Sequence, residues 1–346
     1  MTFARIEALA TCLPSASVAS DELGAALRTV PDSALRLMTG ISSRRWCDRN
    51  AGEDSFALAN RAALACLEKS RYGPADLDVI ISAPIMRIRD RRFYFEPPFA
   101  AMIADRIGAR EALCFDVSNA CAGVATAILI IDRMIKAGYA RRGLVVSGEQ
   151  VTIVTETAMN EVDRVRHPQF ASLTPGDSGL ALLIDGEEGV GSPIHGVDLM
   201  TFAKGAYWCV AKPSARTAGY AMYTDVARQL NDDVYSVWPV FVADMLAETG
   251  RTFASEGFDS LIFHQVTGPV IERALRHGRQ AFDSPLPPSP KVVGDLGNTT
   301  TNSIFMALHR QLSDGDLGEG DKVLFVPSGS GIVMGMASMT LSALAV

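Results

Sequence analysis

Three polar residues stand at points of the sequence where a buried strand gives way to a turn or a helix. Cys121 lies in the stretch "FDVSNACAGVATA", between an apolar run and a helical pattern. His264 directly follows the apolar run "SLIF", and Asn298 lies in the loop "GDLGNTTTNS" before another helical pattern. Because parallel sheets carry functional groups at the carboxyl ends of their strands, we expect these three side chains to work together.

The three residue types suit nucleophilic chemistry at a carbonyl group. A thiolate nucleophile needs a lowered pKa, which a helix N-terminus and a nearby cation supply, and we expect this for Cys121. A neutral imidazole N–H and a carboxamide group are both hydrogen-bond donors. His264 and Asn298 could therefore stabilise a carbonyl or enolate oxygen as it becomes negative.

Each signal is weak on its own. A free cysteine is commonly a small buried hydrophobic residue, and we assign Cys66 and Cys114 to that class. An asparagine such as Asn298 is also frequent in turns and at helix N-caps. The remaining histidines fit surface or structural positions; they are His167, His195, His277 and His309.

The order Cys, His, Asn also occurs in papain-like hydrolases, in which the last two follow the cysteine by about 130–150 residues. Here His264 follows Cys121 by 143 residues and Asn298 follows it by 177. The local cysteine signature of those proteases is absent, which disfavours a cysteine hydrolase. A non-catalytic scaffold subunit is also disfavoured, because a scaffold has no need for all three residues.

The bulk properties exclude several classes of protein. The chain has 346 residues and a formal net charge of -7, with no long basic run, so nucleic-acid binding is not expected. It has no apolar span of about 20 residues, and its N-terminus lacks the pattern of a signal peptide. The six cysteines form no CxxC pair, which favours a reducing compartment over a disulfide framework or a zinc site. We expect a cytoplasmic protein with no membrane association.

Short apolar runs alternate with helical patterns along the chain, which predicts an α/β protein with a largely parallel core. Predicted strands are Leu77–Pro84, Leu113–Asn119, Gly143–Glu149, Gly179–Asp185, Ser260–Val266 and Lys322–Gly329. Predicted helices start near Asp54, follow Cys121 as far as Gly138, and cover Pro269–Phe282 and Thr301–Leu312. The two halves share this layout, so we infer a duplication, with an N-terminal half 1–195 that carries the cysteine and a C-terminal half 196–346 that carries the histidine and the asparagine.

From about Arg5 to Leu341 the chain resembles the ketoacyl-ACP synthase III branch of the thiolase superfamily. The matching segments are "TGISSRRW", "DVSNACAGVATA", "LVVSGE", "TPGDSGLALLID", "FHQVTG", "LGNTTTNS" and "EGDKVLFVPSGSG". This resemblance implies a thiolase-like five-layer αβαβα fold from two duplicated halves, and a homodimer. It also implies an acyltransferase that requires no metal or redox cofactor.

The resemblance also implies roles for the three residues. Cys121 would take an acyl group from a CoA or acyl-carrier-protein thioester. His264 and Asn298 would hold the thioester oxygen of a malonyl-type second substrate, whose loss of CO₂ leaves an enolate that attacks the acyl-cysteine. Backbone N–H groups of Cys121 and, by position, Ser330 would form the acyl oxyanion hole.

The chain departs from the family pattern at positions that contact substrate. Ala34 and Met38 stand where a tryptophan and an arginine usually clamp the CoA nucleotide, and Pro97 replaces a phenylalanine that closes the acyl pocket. Thr267 replaces an asparagine that braces the site. We assign Met38, Pro97, Thr267 and the neighbouring Phe99 to substrate binding. These departures favour a relative from polyketide or other secondary metabolism over one that primes fatty-acid synthesis, and its acceptor could be a malonyl-type thioester or the hydroxyl or amine of a small molecule.

The segment "RIRDRRFYFEPPF", Arg87–Phe99, concentrates four arginines and four aromatic residues. One interpretation is an arm at a dimer interface or at the mouth of a pocket, where it meets the phosphates of a carrier. The other is a solvated loop whose aromatic residues dock on the core. The sequence leaves both open.

Overall fold

The computed structural model describes residues 3–27, 31, 33–187, 194–229, 231–342 and 344. The strands are β1 Phe3–Cys12, β2 Ala16–Ala19, β3 Ser43–Trp46, β4 Val79–Ser82, β5 Ile88–Arg89, β6 Arg92–Phe93, β7 Leu113–Asp116, β8 Arg142–Glu149, β9 Ser178–Glu187, β10 Ile194–Thr201, β11 Cys209–Pro213, β12 Tyr220–Thr224, β13 Ser260–Phe263, β14 Lys322–Val326, β15 Ser328–Gly329 and β16 Val333–Thr340. The helices are α1 Ser20–Ala26, α2 Ala34–Thr39, α3 Ser55–Lys69, α4 Phe99–Ile107, α5 Gly123–Lys136, α6 Thr152–Glu161, α7 Val226–Gln229, α8 Asp232–Tyr235, α9 Val237–Ala247, α10 Phe253–Glu256, α11 Gly268–Ala281, α12 Val293–Leu296 and α13 Ser303–Asp314.

Two mixed sheets form the centre of the fold. The first has the order β1-β9-β8-β4-β7, in which β4 runs parallel to β7 and β8 while β9 runs antiparallel to β1 and β8. The second has the order β10-β16-β14-β13, with β13 and β14 parallel and β16 antiparallel to β10 and β14. The prediction of a largely parallel core is therefore wrong. A strand buried on both faces is apolar whatever the direction of its neighbour, so the apolar runs could not show that β9 and β16 run the other way.

The two sheets have matching strand orders. Strands β1, β9, β8 and β4 of the first sheet correspond in order and direction to β10, β16, β14 and β13 of the second. This match supports the predicted duplication. The division into 1–195 and 196–346 stays a prediction, and its boundary falls within β10. Residues 188–193, just before β10, lie outside the described residues.

Helices separate and cover the two sheets. On one outer face α3 packs against β1, β8 and β9, and α4 packs against β4 and β7. Between the sheets α5 contacts β8 and β10, and α13 contacts β1 and β13. On the other outer face α9 and α11 enclose an apolar cluster with β13, β14 and β16. The order helix, sheet, helix, sheet, helix gives five layers, with α5 and α13 in the middle.

The helix limits agree with the sequence signals. Asp54 is the N-cap of α3 and accepts a hydrogen bond from the Ala57 N–H at 2.8 Å. Helix α5 is followed by Gly138 at φ +75°, a left-handed position that glycine adopts without steric cost. Within the described ranges, no helix combines the length and the apolar character needed to cross a membrane.

Candidate active site

Cys121 lies in a tight turn between β7 and α5. The preceding residue, Ala120, has φ +46°, and the Ala122 N–H donates to the Asn119 carbonyl at 3.0 Å. This turn places Cys121 two residues before the first residue of α5. A left-handed alanine costs on the order of 1 kcal/mol or more, and such residues gather at functional sites.

The first turn of α5 is bound to a segment from the second half of the chain. The Val124 N–H donates to Thr301 Oγ1 at 2.7 Å. A Cβ at Gly123 would lie 2.8 Å from the Ala83 carbonyl oxygen and 3.2 Å from Thr301 Oγ1. Only glycine allows this close approach, so the sequence "CAG" brings the start of α5 against the polar run "TTTN".

His264 follows β13 and is fixed by both its backbone and its ring. Its N–H donates to the Val326 carbonyl at 3.2 Å. Its Nδ1 lies 2.6 Å from Ser303 Oγ, which also accepts the Gln265 N–H at 3.3 Å. Burial lowers the pKa of His264 to about 4, so the imidazole is neutral at physiological pH.

The hydrogen bonds of Ser303 favour one tautomer of His264. A hydroxyl has one proton and two lone pairs, and one lone pair of Ser303 already accepts the Gln265 N–H. Among the contacts of this hydroxyl in the described residues, His264 Nδ1 is the group that can accept its proton, so we assign Nδ1 as the acceptor. The remaining ring nitrogen, Nε2, consequently carries a hydrogen and is a donor.

Asn298 is held by three hydrogen bonds. Its N–H donates to the Thr174 carbonyl at 2.9 Å, and its carbonyl accepts the Gly176 N–H at 3.1 Å. Its side-chain Oδ1 accepts the Thr300 N–H at 2.9 Å. With Oδ1 fixed in this way, the Nδ2 amino group is the part of the side chain left to donate.

One segment, Asn298–Ser303, joins the three predicted residues. It carries Asn298 itself, its Thr301 binds the start of α5 just after Cys121, and its Ser303 binds His264. The segment leads directly into α13, which lies between the two sheets. The sequence missed the roles of Thr301 and Ser303, although the polar run "NTTTNS" before a buried helix was a signal for them.

A second chain segment lies against the Cys121 backbone. A Cβ at Gly329 would lie 3.2 Å from the backbone nitrogen atoms of both Cys121 and Ala122. Ser330, the predicted second member of the oxyanion hole, is the next residue and is partly exposed. The close approach of these two backbones supports the predicted oxyanion hole, which stays a prediction.

The expected lowering of the Cys121 pKa is not found. Burial, then Cys209 and then Glu149 raise the pKa of the Cys121 thiol, and its backbone N–H contact lowers it only in part. The physical reason is that the Val124 N–H at the start of α5 is already occupied by Thr301, so burial outweighs the helix terminus. Cys209 and Glu149 are acids, whereas the sequence led us to expect a cation near Cys121.

Two of the predicted substrate-binding residues lie near one another at the ends of helices. Met38 is 48% exposed near the end of α2, and Thr267 is the N-cap of α11, where it accepts from the Val270 N–H at 3.4 Å. The end of α2 meets the start of α11, since a Cβ at Gly40 would lie 3.7 Å from Gly268 Cα. Pro97 is exposed on the surface.

Phe99 is buried within its own chain, and its assignment to substrate binding stays a prediction. It is 1% exposed and packs in the outer apolar cluster between α3, α4 and the first sheet. Its ring contacts Phe56 and Tyr94, and its N–H donates to Asp116 at 3.0 Å. An aromatic residue at the start of a helix that covers a sheet is buried by that packing.

The Arg87–Phe99 segment forms a hairpin of β5 and β6 that docks on the protein. Arg87 pairs with Asp116 at 3.0 Å, and the Arg89 guanidinium lies over the Phe56 ring at 4.4 Å. Phe93 packs near Tyr220, while Phe95 is 78% exposed. The hairpin is thus docked on the protein, and an exposed aromatic side chain, Phe95, follows its second strand.

A cavity of about 520 Å³ opens near the Ser330 turn. Its walls are mainly apolar and include Trp208, Val234, Val237 and Ile332, with Lys204 and Arg228 also lining it. Ile332 is two residues beyond Ser330, and Trp208 adjoins Cys209, which acts electrostatically on Cys121. The cavity is therefore lined by neighbours in sequence of Ser330 and Cys209.

Comparisons with known proteins agree with this architecture. Residues 115–202 match the domain 3-Oxoacyl-[acyl-carrier-protein (ACP)] synthase III, and residues 249–341 match its C-terminal domain. Together the two matches cover more than half of the chain. The chain is 25% identical over 349 residues to the Beta-ketoacyl-[acyl-carrier-protein] synthase III of Enterococcus faecalis, covering 98% of this chain and 99% of the relative. It is 27% identical to the enzyme of that name from Bacillus pumilus, covering 89% of each.

Solved structures show the same fold. A variant of Xanthomonas campestris OleA with bound lauric acid and lauroyl-CoA superposes with a TM-score of 0.83 at 22% identity, over 98% of this chain and 99% of that one. The 3-oxoacyl-[acyl-carrier-protein] synthase III of Aquifex aeolicus VF5 superposes with a TM-score of 0.79 at 21% identity, over 99% and 100%. The fold is thiolase-like, as the sequence predicted. The chain belongs to the ketoacyl-ACP synthase III family, and it is an acyltransferase of that family.

Proposed function

We propose that the protein loads an acyl group from a CoA or acyl-carrier-protein thioester onto Cys121 and passes it to a malonyl-type thioester by decarboxylative Claisen condensation. The observation that carries this proposal is the segment Asn298–Ser303. Through it, one stretch of chain orients two neutral donors, His264 and Asn298, and binds the helix that begins beside Cys121.

Loading of the acyl group is the first step. The Cys121 sulfur attacks the thioester carbonyl, the carbonyl carbon–sulfur bond of the donor breaks, and the departing thiol keeps the proton that Cys121 loses. Backbone N–H groups of Cys121 and Ser330 stabilise the oxygen of the tetrahedral intermediate. Because burial raises the thiol pKa, the resting residue is a protonated thiol, and loss of its proton must accompany attack.

Condensation is the second step. The malonyl carboxylate leaves as CO₂, and the electron pair of the broken C–C bond forms an enolate. His264 Nε2–H and Asn298 Nδ2–H donate to the enolate oxygen, a role that needs hydrogen-bond donors and not a charged imidazolium. The enolate carbon then attacks the acyl carbonyl, and Cys121 departs as the thiolate.

The apolar cavity lined by Trp208 and Ile332 suits the arm of a thioester substrate. Its volume of about 520 Å³ falls within the range of about 300–1,000 Å³ that is usual for small-molecule sites. Lys204 and Arg228 lie among its apolar walls, where cations can bind a phosphate. The OleA structure that holds lauroyl-CoA is a precedent for an acyl-CoA ligand on this fold.

We also propose a homodimer, paired through β7. This strand is at the end of the first sheet and within the described residues pairs only with β4. Leu113 at its start is 56% exposed. An open edge strand presents unpaired backbone groups that favour pairing with another strand, and a second copy of the chain supplies one.

Intact-protein mass spectrometry with a panel of acyl thioesters tests the function. We expect one acyl adduct, lost in Cys121→Ala, and expect Asn298→Ala to form the adduct normally but to condense about 10²–10³-fold more slowly, the usual effect of losing one oxyanion donor. An adduct on Cys66 or Cys114 would contradict the nucleophile. Normal condensation by Asn298→Ala would instead favour transfer to a hydroxyl or amine.

A further inference from the structure

Glu149 is a buried carboxyl group that the proposed reaction does not use. It ends β8 opposite Ser178 of β9 and is 0% exposed. Its Oε1 accepts the Ile85 N–H at 2.9 Å, and its other oxygen, Oε2, makes no hydrogen bond of standard geometry within the described residues. Burial raises the pKa of this carboxyl and outweighs the Ile85 N–H, the Thr300 side chain and the Met86 N–H, which lower it. A buried carboxylate with an unpartnered oxygen is costly, so this environment suits the protonated acid.

Glu149 adjoins the turn that orients Asn298. The Thr300 side chain lies next to the Glu149 carboxyl, and Thr300 Oγ1 likewise lacks another partner in the described part of the chain. Thr300 has φ +52°, a conformation that β-branched residues rarely adopt. From this conformation its N–H donates to Asn298 Oδ1.

The same turn is also fixed to the strand opposite Glu149. Asn302 Nδ2 donates to the Ser178 carbonyl at 3.2 Å and to Ser178 Oγ at 3.0 Å. The turn therefore rests on the ends of β8 and β9, with the Glu149 carboxyl beside it. A change in that carboxyl acts directly on the support of Asn298.

The titratable groups around this carboxyl are acids or neutral. Asp177, which accepts from Cys47 and Thr152, raises the pKa of Glu149, and Glu149 in turn raises the pKa of the Cys121 thiol. Cys209 also raises the pKa of the Cys121 thiol. Burial lowers the pKa of His264, which is therefore neutral. Two like charges so close in a buried site oppose each other's ionisation.

We propose that Glu149 is a positioning residue that must stay protonated: the neutral acid supports the Thr300 turn that orients Asn298, and it allows the site to hold one negative charge at Cys121 or on the enolate. Burial raises the pKa of Glu149 to about 8. The acid is therefore mostly protonated at neutral pH and ionises as the pH rises through that value. The enolate part of this proposal rests on the proposed function, whereas the thiol part does not.

The variant Glu149→Gln tests the proposal, because it keeps the shape of the side chain and cannot ionise. Alkylation of Cys121 by iodoacetamide, followed by mass spectrometry across a pH series, reports thiolate formation without any acyl transfer. Above about pH 8, where the Glu149 carboxyl ionises, we expect Glu149→Gln to alkylate faster than the unaltered protein, by up to about tenfold if the thiol pKa falls by one unit. The condensation rate of the unaltered protein should fall as the pH rises above about 8, whereas the condensation rate of Glu149→Gln should not.

Glu161→Gln is the matched control. Glu161 is also buried, at 2% exposed, but it lies at the end of α6 and is bonded to Gln169, Ser214 and Thr217. Its replacement should leave the pH dependence of Cys121 alkylation unchanged. A shift of equal size in both variants would show a general effect of removing buried charge and would overturn the proposal.

The remaining outcomes separate this proposal from the proposed function. Identical alkylation profiles for Glu149→Gln and the unaltered protein overturn the inference. A shifted alkylation profile in a protein that never condenses supports the role of Glu149 at the thiol and contradicts the condensation. If Glu149→Gln does not fold, Glu149→Asp replaces it, because the shorter side chain withdraws the acid from Thr300. We expect this variant to have a lower kcat for condensation and a shift in the pH at which the rate falls on the alkaline side. If neither kcat nor that pH changes, the inference is overturned.

Discussion

Ser303 shows how a hydroxyl outside the reacting set can decide what His264 does. The Ser303 hydroxyl lies between Nδ1 of His264 and the Gln265 N–H, and it is fully buried. Its proton makes Nδ1 an acceptor, which leaves the hydrogen on Nε2. An imidazole with the hydrogen on the other nitrogen would present a lone pair to the enolate and repel it.

Ser303→Ala should therefore slow condensation and spare acylation of Cys121. Loss of a buried hydrogen-bond partner costs about 1–3 kcal/mol, which corresponds to roughly tenfold or more in rate. Rapid-quench measurement of both half-reactions checks this. Ser313→Ala is the control, because Ser313 is exposed on the same helix and its hydroxyl lies 3.4 Å from the half-buried His309. Equal condensation rates in the two variants would contradict the tautomer assignment.

The sequence was sufficient to identify the residues that end apolar runs. Cys121, His264 and Asn298 are polar groups at strand or helix boundaries, and that pattern is visible in one dimension. Ser303 and Glu149 contact partners 39 and 64 residues away. The polar run "NTTTNS" marks Ser303 as a candidate but does not name its partner, and no local pattern marks Glu149. The burial of Phe99 was missed for the same reason, since it depends on α4 covering the first sheet.

At the scale of elements, the proposed acylation site depends on two backbones in close contact. Strand β15 passes so near the Cys121 turn that a single methyl group at Gly329 would press on the N–H groups of Cys121 and Ala122. The distance of 3.2 Å is short for a carbon–nitrogen contact, so one of the two segments must move. Movement of either segment displaces the donors of the predicted oxyanion hole.

Gly329→Ala should thus acylate more slowly than the unaltered protein, by about tenfold or more if overpacking costs about 1–3 kcal/mol. The rate of adduct formation, followed by intact mass, measures this. Gly196→Ala is the matched control, since a Cβ there meets nothing within 4 Å and its φ is not left-handed. If Gly329→Ala acylates at the same rate as the unaltered protein, β15 does not contribute to the proposed acylation site.

Elements were easier to predict than their directions. All six predicted apolar strands occur, and α3, α5, α11 and α13 lie within a few residues of their predicted limits. The caps at Asp54 and Gly138 carry local conformational preferences, which explains this success. Direction depends on how the chain returns to the sheet, so the antiparallel placement of β9 and β16 could not be inferred.

At the scale of the whole molecule, the resemblance implies that the family's clamp for the nucleotide end of CoA is missing. Met38 replaces the family arginine and is exposed, while Ala34 has no aromatic face. Arg44, which could have compensated, is fully buried and donates to the Leu173 carbonyl and to Ser20 Oγ. Recognition then falls mainly to the phosphopantetheine arm and to any carrier protein.

We therefore expect similar kcat/KM values for one acyl group on CoA and on a pantetheine thioester. Lost stacking of about 0.5–1.5 kcal/mol and a lost charge-assisted hydrogen bond of about 1.5–3 kcal/mol explain the weak preference. Met38→Arg should raise the preference for CoA, and Leu37→Arg, on the same helix at 75% exposed, should not. A preference for CoA above about 100-fold in the unaltered protein would show that the nucleotide is still firmly held.

The burial of Cys121 has a consequence for the lifetime of the protein. Peroxides and other oxidants attack thiolates, and oxidation beyond the sulfenic acid is irreversible for most proteins. The proposed nucleophile rests as a protonated thiol, because burial raises its pKa, and it therefore presents little thiolate to such oxidants between turnovers. The same burial that makes the first chemical step depend on removal of a proton therefore preserves the sulfur until a thioester arrives.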